Sequence, residues 1–508
     1  MSRALAQVEE WTRSRGLTIS AEKSQAMCFH KRKILVNLPT LYIFDNAIPW
    51  KTSTKYLGVT LQVNMNWSLH IENMCSRATR NINVMKSLCR TWWGSHPQTM
   101  LTIYNAIVLP FLDYGSVFLG RCSKSVLSRL DRVQYSAIRV ALGYMKSTPI
   151  NVLLAESGQL PLSYRRLWLA IKFLSKLAKI SPNPLLQRLS QLFSWRHAWG
   201  SRPMPPILEA LNMLPETGSF YSSPLLPCFQ VPLCVHYLDV PYYSLNLRKL
   251  DLDNSGLFDE RCRDKFPDFS LLFTDASKSR DQVGIGIYSP GNISFSGRVP
   301  SSFSISSAEL LAIDKALSII EGMTDDVLII SDSKSALEKL KGWFPHSSND
   351  HITLSIRNKI YRITQTNRQI KFVWVPSHTN ITGNDQADRL AKEGSKMSHT
   401  LTIKGDIKEH WPSFKRNIWE RWKTEWKQTS LHRGHLYSTM INVDHFSRKP
   451  WFHSFADLPR GNITTMNRLR ANHCCSPAHL AKIQVRDDDL CECGEREGTY
   501  STFSFRAL

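Results

Sequence analysis

The sequence predicts an α/β fold with a mixed five-stranded sheet between Phe269 and Lys396. Short apolar runs of strand length alternate there with longer segments in which apolar residues recur at helical spacing. The dipeptide Pro290-Gly291 separates two of these runs and is typical of a hairpin turn. The resulting order, βββαβαβα, is that of a sheet covered by helices.

Each element of this order follows from a local pattern. LLFTDAS is predicted as the first strand, and VGIGIYS and ISFSGRVP as the two strands of the hairpin. SSAELLAIDKALSII is predicted as a helix with Ser306 or Ser307 as its N-cap. VLIISDS is expected to form the fourth strand, SALEKLKGWF a helix and QIKFVWVPSH the fifth strand. GNDQADRLAKEGS is predicted as the last helix, ending at Gly394.

The rest of the 508-residue chain divides into three regions around residues 269–396. Residues 1–180 combine short strand patterns with long helical ones, which predicts a mainly helical region. Residues 181–268 are rich in proline and have poor periodicity, so we expect a linker with local extended pieces. Residues 397–508 form a basic C-terminal region.

The charge of the chain indicates a polyanionic partner. The formal net charge is +22, but residues 269–396 contain 15 Lys and Arg against 13 Asp and Glu. About +20 therefore lies in the flanking regions, which are expected to hold phosphates while the middle region carries out chemistry. The alternative is a basic protein whose lysines are simply solvated.

Cysteine usage and hydropathy bear on the compartment. The 11 cysteines are an odd number without a framework spacing, and they are interpreted as reduced thiols of the nucleus or cytoplasm. No run of 18 apolar residues occurs, so no membrane span is expected. The N-terminal segment lacks the apolar core of a signal peptide.

Four carboxylates are expected to converge at one edge of the sheet. Asp275 is predicted to end the first strand, Glu309 to lie in the first turn of the next helix, Asp332 to end the fourth strand and Asp388 to lie on the last helix. Alone, each would be interpreted as a turn, cap or helix-dipole residue. Together they are expected to repel unless cations neutralise them, and their oxygens suit Mg²⁺ or Mn²⁺. His378 precedes the last helix and could carry a proton.

The sequence contexts of these residues resemble the signature segments of type 1 ribonuclease H. The segments are TDAS, SSAEL, ISDS and WVPSHTNITGNDQADRLAK. The resemblance implies two-metal hydrolysis of the RNA strand of an RNA–DNA hybrid. It implies metal-binding and catalytic roles for Asp275, Glu309, Asp332 and Asp388, and the role of auxiliary proton carrier for His378.

The same resemblance suggests where the substrate is contacted. The loop around Ser306 and the backbone beside Asp275, at Ala276 and Ser277, are expected to contact ribose 2′-hydroxyls, and Asn384 is a further candidate. Ala276 stands where the family usually has glycine, so its methyl group is expected to crowd the approaching strand.

The N-terminal region resembles the end of the polymerase region of non-LTR (LINE-type, jockey-like) retrotransposon proteins. The matching segments, between Glu10 and about Leu174, are W-x4-GLTIS-x2-K, KYLGVTL, NWSLHI, YNAIVLPFLDYGS, LDRVQYSAIRVALG and TPINVLLAESGQLPL. The metal-binding (Y/F)-A-D-D segment of the polymerase does not occur in this sequence. A complete reverse transcriptase is therefore not expected.

The C-terminal region resembles the start of a Cys/His cluster of the same family. MNRLRANHC precedes Cys491 and Cys493, but the later His and Cys of that cluster are absent. A closed zinc site needs four ligands. Cys474, Cys475 and His479 are candidate substitutes, and a metal-free tail is the alternative.

These observations leave two main hypotheses for function. The first is a hybrid-specific endoribonuclease in a retrotransposon-derived protein, supported by the complete carboxylate set. The second is a relic that binds nucleic acid through its basic flanks without cutting. The contexts SSAEL and SHTNITGNDQAD argue against a transposase of similar fold.

Overall fold

The computed structural model describes most of the chain in two compact units. The described residues are 1–30, 38–195, 197, 204–216, 218–226, 229–245, 247, 254–291, 293–342, 351–473 and 476–490. Among these, a helical unit is drawn from residues 1–170, 204–210 and 417–490, and a sheet unit from residues 171–197 and 211–416. The helical unit thus takes residues from both ends of the chain, across the regions predicted as 1–180 and 397–508.

Helices dominate the described chain. In chain order they are α1 Ser2–Ser14, α2 Ser68–Leu88, α3 Pro97–Ile103, α4 Leu109–Asp113, α5 Lys124–Leu142, α6 Ile150–Ser157, α7 Leu162–Ala178, α8 Pro184–Ser194, α9 Pro206–Met213, α10 Leu233–His236, α11 Asn254–Lys265, α12 Ile305–Ile320, α13 Lys334–Lys341, α14 His351–Thr364, α15 Thr382–Lys396, α16 Trp411–Ser430, α17 His435–Met440, α18 Arg460–Arg470 and α19 Pro477–Lys482. A π-helical turn, Tyr104–Val108, joins α3 to α4, and short 3₁₀ segments lie at Ser116–Arg121, Ile407–His410, Val443–His445 and Trp451–Ser454.

The strands form one large sheet and two hairpins. They are β1 Leu41–Ile43, β2 Asn46–Ile48, β3 Ser53–Tyr56, β4 Val59–Gln62, β5 Tyr242–Ser244, β6 Ser270–Ser279, β7 Gln282–Ser289, β8 Ile293–Val299, β9 Val327–Ser331 and β10 Ile370–Trp374. β1–β2 and β3–β4 are antiparallel pairs. The sheet has the order β5-β10-β9-β6-β7-β8.

The predicted mixed α/β sheet is confirmed in the sheet unit. β6, β7 and β8 are antiparallel neighbours, whereas β6, β9, β10 and β5 run parallel. The sheet has six strands, one more than predicted, because β5 pairs along β10. Helix α14, which was not predicted, packs with α12.

Residues from the segment predicted as a linker belong to the core of the sheet unit. Phe258 of α11 and Phe266, directly after that helix, are buried in one apolar cluster with Phe273 of β6. Arg357 of α14 is fully buried and donates hydrogen bonds to the carbonyls of Val235 (3.1 Å) and His236 (3.0 Å), both in α10. These contacts fix the segment before β6 on the sheet.

The core of the helical unit depends on residues from both ends of the chain. Trp422 and Trp426 of α16 are buried in one cluster with apolar residues of α2 and α5. α18 also covers the end of α5, where the last carbonyls of a helix lack partners. Arg460 donates to the carbonyls of Val140 and Ala141, and Asn467 donates to that of Leu142.

None of the helices within the described ranges combines the length and apolar character that a membrane span requires.

Candidate active site

Two aspartates lie side by side at the centre of the sheet. β6 pairs in parallel with β9 as far as Thr274 and Ser331, so Asp275 and Asp332 follow at the same edge. Asp332 comes directly after β9, as predicted. The prediction that Asp275 ends its strand is wrong, because β6 continues to Ser279 by pairing with β7.

Helix α12 carries the third carboxylate, Glu309. The predicted N-cap at Ser306 or Ser307 is wrong: Ser304 is the N-cap and accepts a hydrogen bond from the Ser307 N–H. The carboxylate of Glu409 fixes this earlier start, since it accepts from the Ser304 N–H and the Ser307 hydroxyl, both at 2.6 Å. Glu309 consequently lies in the second turn, not the first, and is 7% exposed.

Asp275, Glu309 and Asp332 form a compact acidic cluster. One oxygen of each lies within 4.8 Å of the others. Glu309 Oε2 is buried and has no hydrogen-bond partner among the described residues. Three carboxylates this close repel one another unless protons or cations neutralise them. The hard oxygen donors, and the orphaned Glu309 oxygen above all, fit Mg²⁺ or Mn²⁺.

Burial and mutual repulsion raise the pKa values of the cluster. Burial, followed by the charge of Asp332, raises the pKa of Asp275 to about 8. Burial and the charge of Asp275 raise the pKa of Glu309 well above its usual range. Burial also raises the pKa of Asp332, although hydrogen bonds from Ser377 and Asn384 oppose the shift. The cluster therefore holds protons at neutral pH when no cation is bound.

Two glycines of β7 allow the helix of the fourth carboxylate to lie directly on the sheet. A Cβ atom at Gly286 would be 2.1 Å from the carbonyl oxygen of Ala387, and one at Gly284 would be 2.2 Å from that of Ala391. No side chain fits at either position without moving α15. The helix continues to Lys396, past the predicted end at Gly394.

Asp388 lies on α15 and lines the same cleft as the acidic cluster. The cleft is open and has a volume of about 360 Å³. The Asp388 carboxylate stands outside the group of three and forms an ion pair with Lys392 at 2.6 Å. All four predicted carboxylates are thus brought to one cleft, with three of them in close contact.

His378 is exposed on the wall of the cleft, in the loop between β10 and α15. Its φ of 57° lies in the left-handed region, which is uncommon for residues other than glycine. The loop is fixed nearby by a hydrogen bond from the Thr379 hydroxyl to the Pro376 carbonyl at 2.8 Å. The backbone therefore holds His378 at the cleft.

The four candidate substrate-contacting residues differ in accessibility. Ser306 is exposed and Ser277 half-buried, and both line the cleft. Ala276 is nearly buried in the apolar core, and its N–H donates to Asp275 at 2.8 Å. Asn384 is buried, and its side chain hydrogen bonds to Asp332. Asn384 therefore supports a carboxylate of the cluster.

Two further residues of the cleft were not predicted. Ser377 hydrogen bonds to the carboxylate of Asp332. Lys278 lines the cleft and donates to the carbonyl of Phe303, before α12. Ser377 directly precedes His378 in the signature segment, so its position in the sequence could have identified it as a residue of the site. Lys278 has no comparable signal, because its partner lies 25 residues away.

The comparison with protein families decides the assignment of this region. The ribonuclease H (RNase H) family model matches residues 268–396, about a quarter of the chain. Residues 268–396 form a ribonuclease H domain. This domain contains every residue predicted for catalysis or substrate contact, and every residue that lines the cleft.

Known proteins of two kinds are similar to parts of this chain. A putative 115 kDa protein of the retrotransposable element R1DM of Drosophila melanogaster is 26% identical over 168 residues, 33% of this chain and 16% of that protein. Human ribonuclease H1 is 30% identical over 148 residues, 26% of this chain and 51% of that protein. The Pol polyprotein of an R1 element of Popillia japonica is 24% identical over 200 residues, 38% of this chain and 72% of that protein. The chain thus spans only about a sixth of the length of the first of these relatives and about half of the length of the second.

The candidate zinc ligands of the C-terminal region fall largely outside the described residues. This holds for Cys474, Cys475, Cys491 and Cys493. His479 is described, and its ring lies 3.2 Å from the hydroxyl of Ser147.

Proposed function

We propose that this chain is an endonuclease that hydrolyses the RNA strand of RNA–DNA hybrids with Mg²⁺, within a retrotransposon-derived protein. The observation that carries the proposal is the cluster of three carboxylates in the cleft of a ribonuclease H domain. The name of the human relative, ribonuclease H1, supports the reaction. The names of relatives from R1 and jockey elements support the origin.

The four carboxylates would hold two divalent cations. Asp275, Glu309 and Asp332 would hold them through their clustered oxygens, and Asp388 would contribute from the wall of the same cleft. When bound, such ions activate a water molecule and stabilise the leaving oxygen of a phosphodiester. Asn384 and Ser377 would keep the Asp332 carboxylate oriented by hydrogen bonds, as groups behind metal ligands generally do.

Substrate choice would come from the walls of the cleft. Cations accept any phosphodiester, so discrimination between RNA and DNA needs contacts to 2′-hydroxyls. The exposed hydroxyl of Ser306, the hydroxyl of Ser277 and the backbone at Ala276 are the candidate hydrogen-bonding groups for these contacts, and all three residues line the cleft. Replacing Ala276 by glycine should leave cleavage unchanged or raise it.

His378 would move a proton to or from the reacting centre. Its exposed position and its place at the cleft suit a group that exchanges protons with solvent. We expect His378→Ala to slow turnover by about 10²-fold or less while leaving hybrid affinity unchanged. Single-turnover rates and binding measured in parallel check this; a silent substitution would remove His378 from the mechanism.

A strand-labelled digest of three duplexes tests the proposal. With Mg²⁺ or Mn²⁺ we expect cutting of the RNA strand in a hybrid, poor cutting of duplex RNA and none of duplex DNA. Excess chelator should abolish cleavage. Cleavage that survives chelation contradicts the metal mechanism, and comparable cutting of duplex DNA indicates a general nuclease. Binding of all three duplexes without cutting supports the alternative, a relic that binds nucleic acid without catalysis.

A further inference from the structure

A turn in the helical unit presents two adjacent tryptophans to solvent. The turn, Arg90–Trp93, follows α2, and Trp92 and Trp93 are 56% and 59% exposed. Two tryptophans that are neighbours in sequence and both exposed are unusual, since such rings stabilise a fold mainly when buried. The pair lies outside the sheet unit that contains the proposed catalytic cleft.

The structure holds this turn rigidly. The Arg90 N–H donates to the Trp93 carbonyl at 2.9 Å, and Cys89 and Gly94 form an antiparallel bridge below it. Gly94 has a φ of +98°, and a Cβ atom there would lie 2.5 Å from the Leu88 carbonyl oxygen. The buried guanidinium of Arg460 donates to the Arg90 carbonyl at 2.6 Å. A turn whose backbone is already ordered loses little entropy when a flat partner stacks on its side chains.

The two stretches of chain that form and support the turn carry a net positive charge. From Asn73 to Leu112 the sequence has four Lys and Arg and no Asp or Glu, and the same counts hold from Leu458 to Val485. Both stretches contribute to the turn: Arg468 of α18 lies 4.9 Å from the ring centroid of Trp92. Aromatic rings with neighbouring cations are the combination by which proteins hold unpaired nucleotides, through base stacking and phosphate neutralisation.

We propose that Trp92 and Trp93 form a stacking platform for single-stranded DNA. Charge complementarity and ring exposure point to an unpaired polynucleotide. The choice of DNA rests on the proposed function, because hydrolysis of the RNA strand leaves the DNA strand of a hybrid unpaired. The bases would stack on the indole rings, and the exposed Arg90 would face the phosphates. Arg468 would hold the Trp92 ring from one side, since its guanidinium lies over that ring and donates to the Gly143 carbonyl at 2.8 Å.

Binding of a fluorescein-labelled 20-nucleotide single-stranded DNA to the full chain, in chelator, tests the platform. We expect the double variant Trp92→Ala/Trp93→Ala to bind at least about tenfold more weakly, since stacking on one ring contributes about that much. The double variant Trp92→Phe/Trp93→Phe should retain most of the affinity. Trp195→Ala, which removes another exposed tryptophan (71%), should bind like the unmodified chain.

The outcomes separate the platform from the catalytic proposal. Unchanged single-strand affinity in the double alanine variant overturns the platform, as does an equal loss with Trp195→Ala. Single-stranded RNA bound more than tenfold more tightly than DNA overturns the choice of occupant. A short hybrid should be cut equally by the unmodified chain and the double variant. The unmodified chain could fail to cut hybrid while the double alanine variant still loses single-strand binding. That result would support the platform and contradict the catalytic proposal.

Discussion

Asp275 combines an unfavourable electrostatic position with the proposed central role in metal binding. Burial and the neighbouring Asp332 raise its pKa to about 8, against about 4 for an aspartate in an unfolded chain. Between these values the folded state holds a proton that the unfolded state has lost. The metal-free protein should therefore lose stability as pH rises through this window. A bound cation would offset that cost.

Replacing the Asp275 carboxylate should separate activity from stability. We expect Asp275→Asn to abolish hybrid cleavage and, in chelator at pH 8, to raise the melting temperature by roughly 2–4 °C, as about 1 kcal/mol does in a domain of this size. Asp314→Asn is the matched control: Asp314 pairs with Lys359 at 2.8 Å, so its loss should lower the melting temperature. Residual cleavage together with a lower melting temperature for Asp275→Asn would contradict the assignment.

Protons and cations should compete for the acidic cluster. Because the pKa values of Asp275 and Glu309 are raised, metal binding near neutral pH must displace protons. The apparent affinity for Mg²⁺ should increase from pH 6 to pH 8. At limiting Mg²⁺ the cleavage rate should rise from pH 6 to pH 8. At saturating Mg²⁺ this dependence of the rate on pH should become much weaker. Titrations of cleavage rate with Mg²⁺ at pH 6, 7 and 8 measure this; an affinity independent of pH would argue against the buried cluster as the site.

The sequence predicted which carboxylates share the cleft but not how each is supported. Signature contexts identified Asp275, Glu309, Asp332 and Asp388, because those contexts are local in the chain. Whether a side chain faces substrate or supports a carboxylate depends on the packing around it. Asn384 was predicted to contact substrate, and the structure buries it against Asp332.

At the scale of elements, close packing of α15 on β7 brings Asp388 to the cleft. Gly286 is the critical position, because a Cβ atom there would be 2.1 Å from the Ala387 carbonyl oxygen, one residue before Asp388. Neither the backbone at Gly286 nor that at Ala387 can shift locally, since the first lies within the sheet and the second within a helix. A methyl group must therefore move α15 away from the acidic cluster.

Gly286→Ala should consequently reduce cleavage strongly. We expect a loss of about 10²-fold or more, because small displacements of reacting groups have effects of that size, and a lower melting temperature from overpacking. Gly322→Ala is the matched control, since nothing lies within 4 Å of a Cβ atom there. Hybrid cleavage and thermal melting of both variants give the answer. Equal activity in the two would show that α15 accommodates the methyl group without moving Asp388.

The strand that the sequence analysis missed is short and depends on a distant partner. β5 has three residues and pairs with β10, more than a hundred residues later in the chain. Periodicity cannot distinguish so short a strand from a loop, and the prolines around it favoured a linker. The longer strands around Asp275 and Asp332 were predictable because their apolar runs are buried and bounded by turn signals.

At the scale of the whole molecule, the ribonuclease H domain lies in sequence between two parts of another folding unit. The helical unit closes its core only when residues after 416 join those before 171. Its contacts across this separation are polar as well as apolar: Arg470 pairs with the buried Glu156 at 2.8 Å. No sequence pattern could predict this pairing, because each partner alone resembles an ordinary charged residue of a helix.

Among the contacts that join the two ends of the chain in the helical unit, we expect those of Arg460 to contribute most to stability. Its guanidinium is 4% exposed and donates to the carbonyls of Arg90, Ser95, Val140 and Ala141. Truncation to alanine leaves buried acceptors without donors, at about 1–3 kcal/mol each. We therefore expect Arg460→Ala to destabilise the helical unit by at least about 3 kcal/mol, or roughly 6–12 °C in its melting transition.

Two further measurements distinguish local destabilisation of the helical unit from a general effect of the Arg460→Ala substitution: hybrid cleavage, and the same assays on a surface variant. The acidic cluster belongs to the sheet unit, so hybrid cleavage at 25 °C should persist while single-strand binding falls, because Arg460 also supports the turn of Trp92 and Trp93. Arg132→Ala, which removes an exposed guanidinium of the same unit, should change neither melting nor binding measurably. Calorimetry resolves the transitions. Similar shifts for both variants would mean that the buried hydrogen bonds of Arg460 do not hold the two ends of the helical unit together.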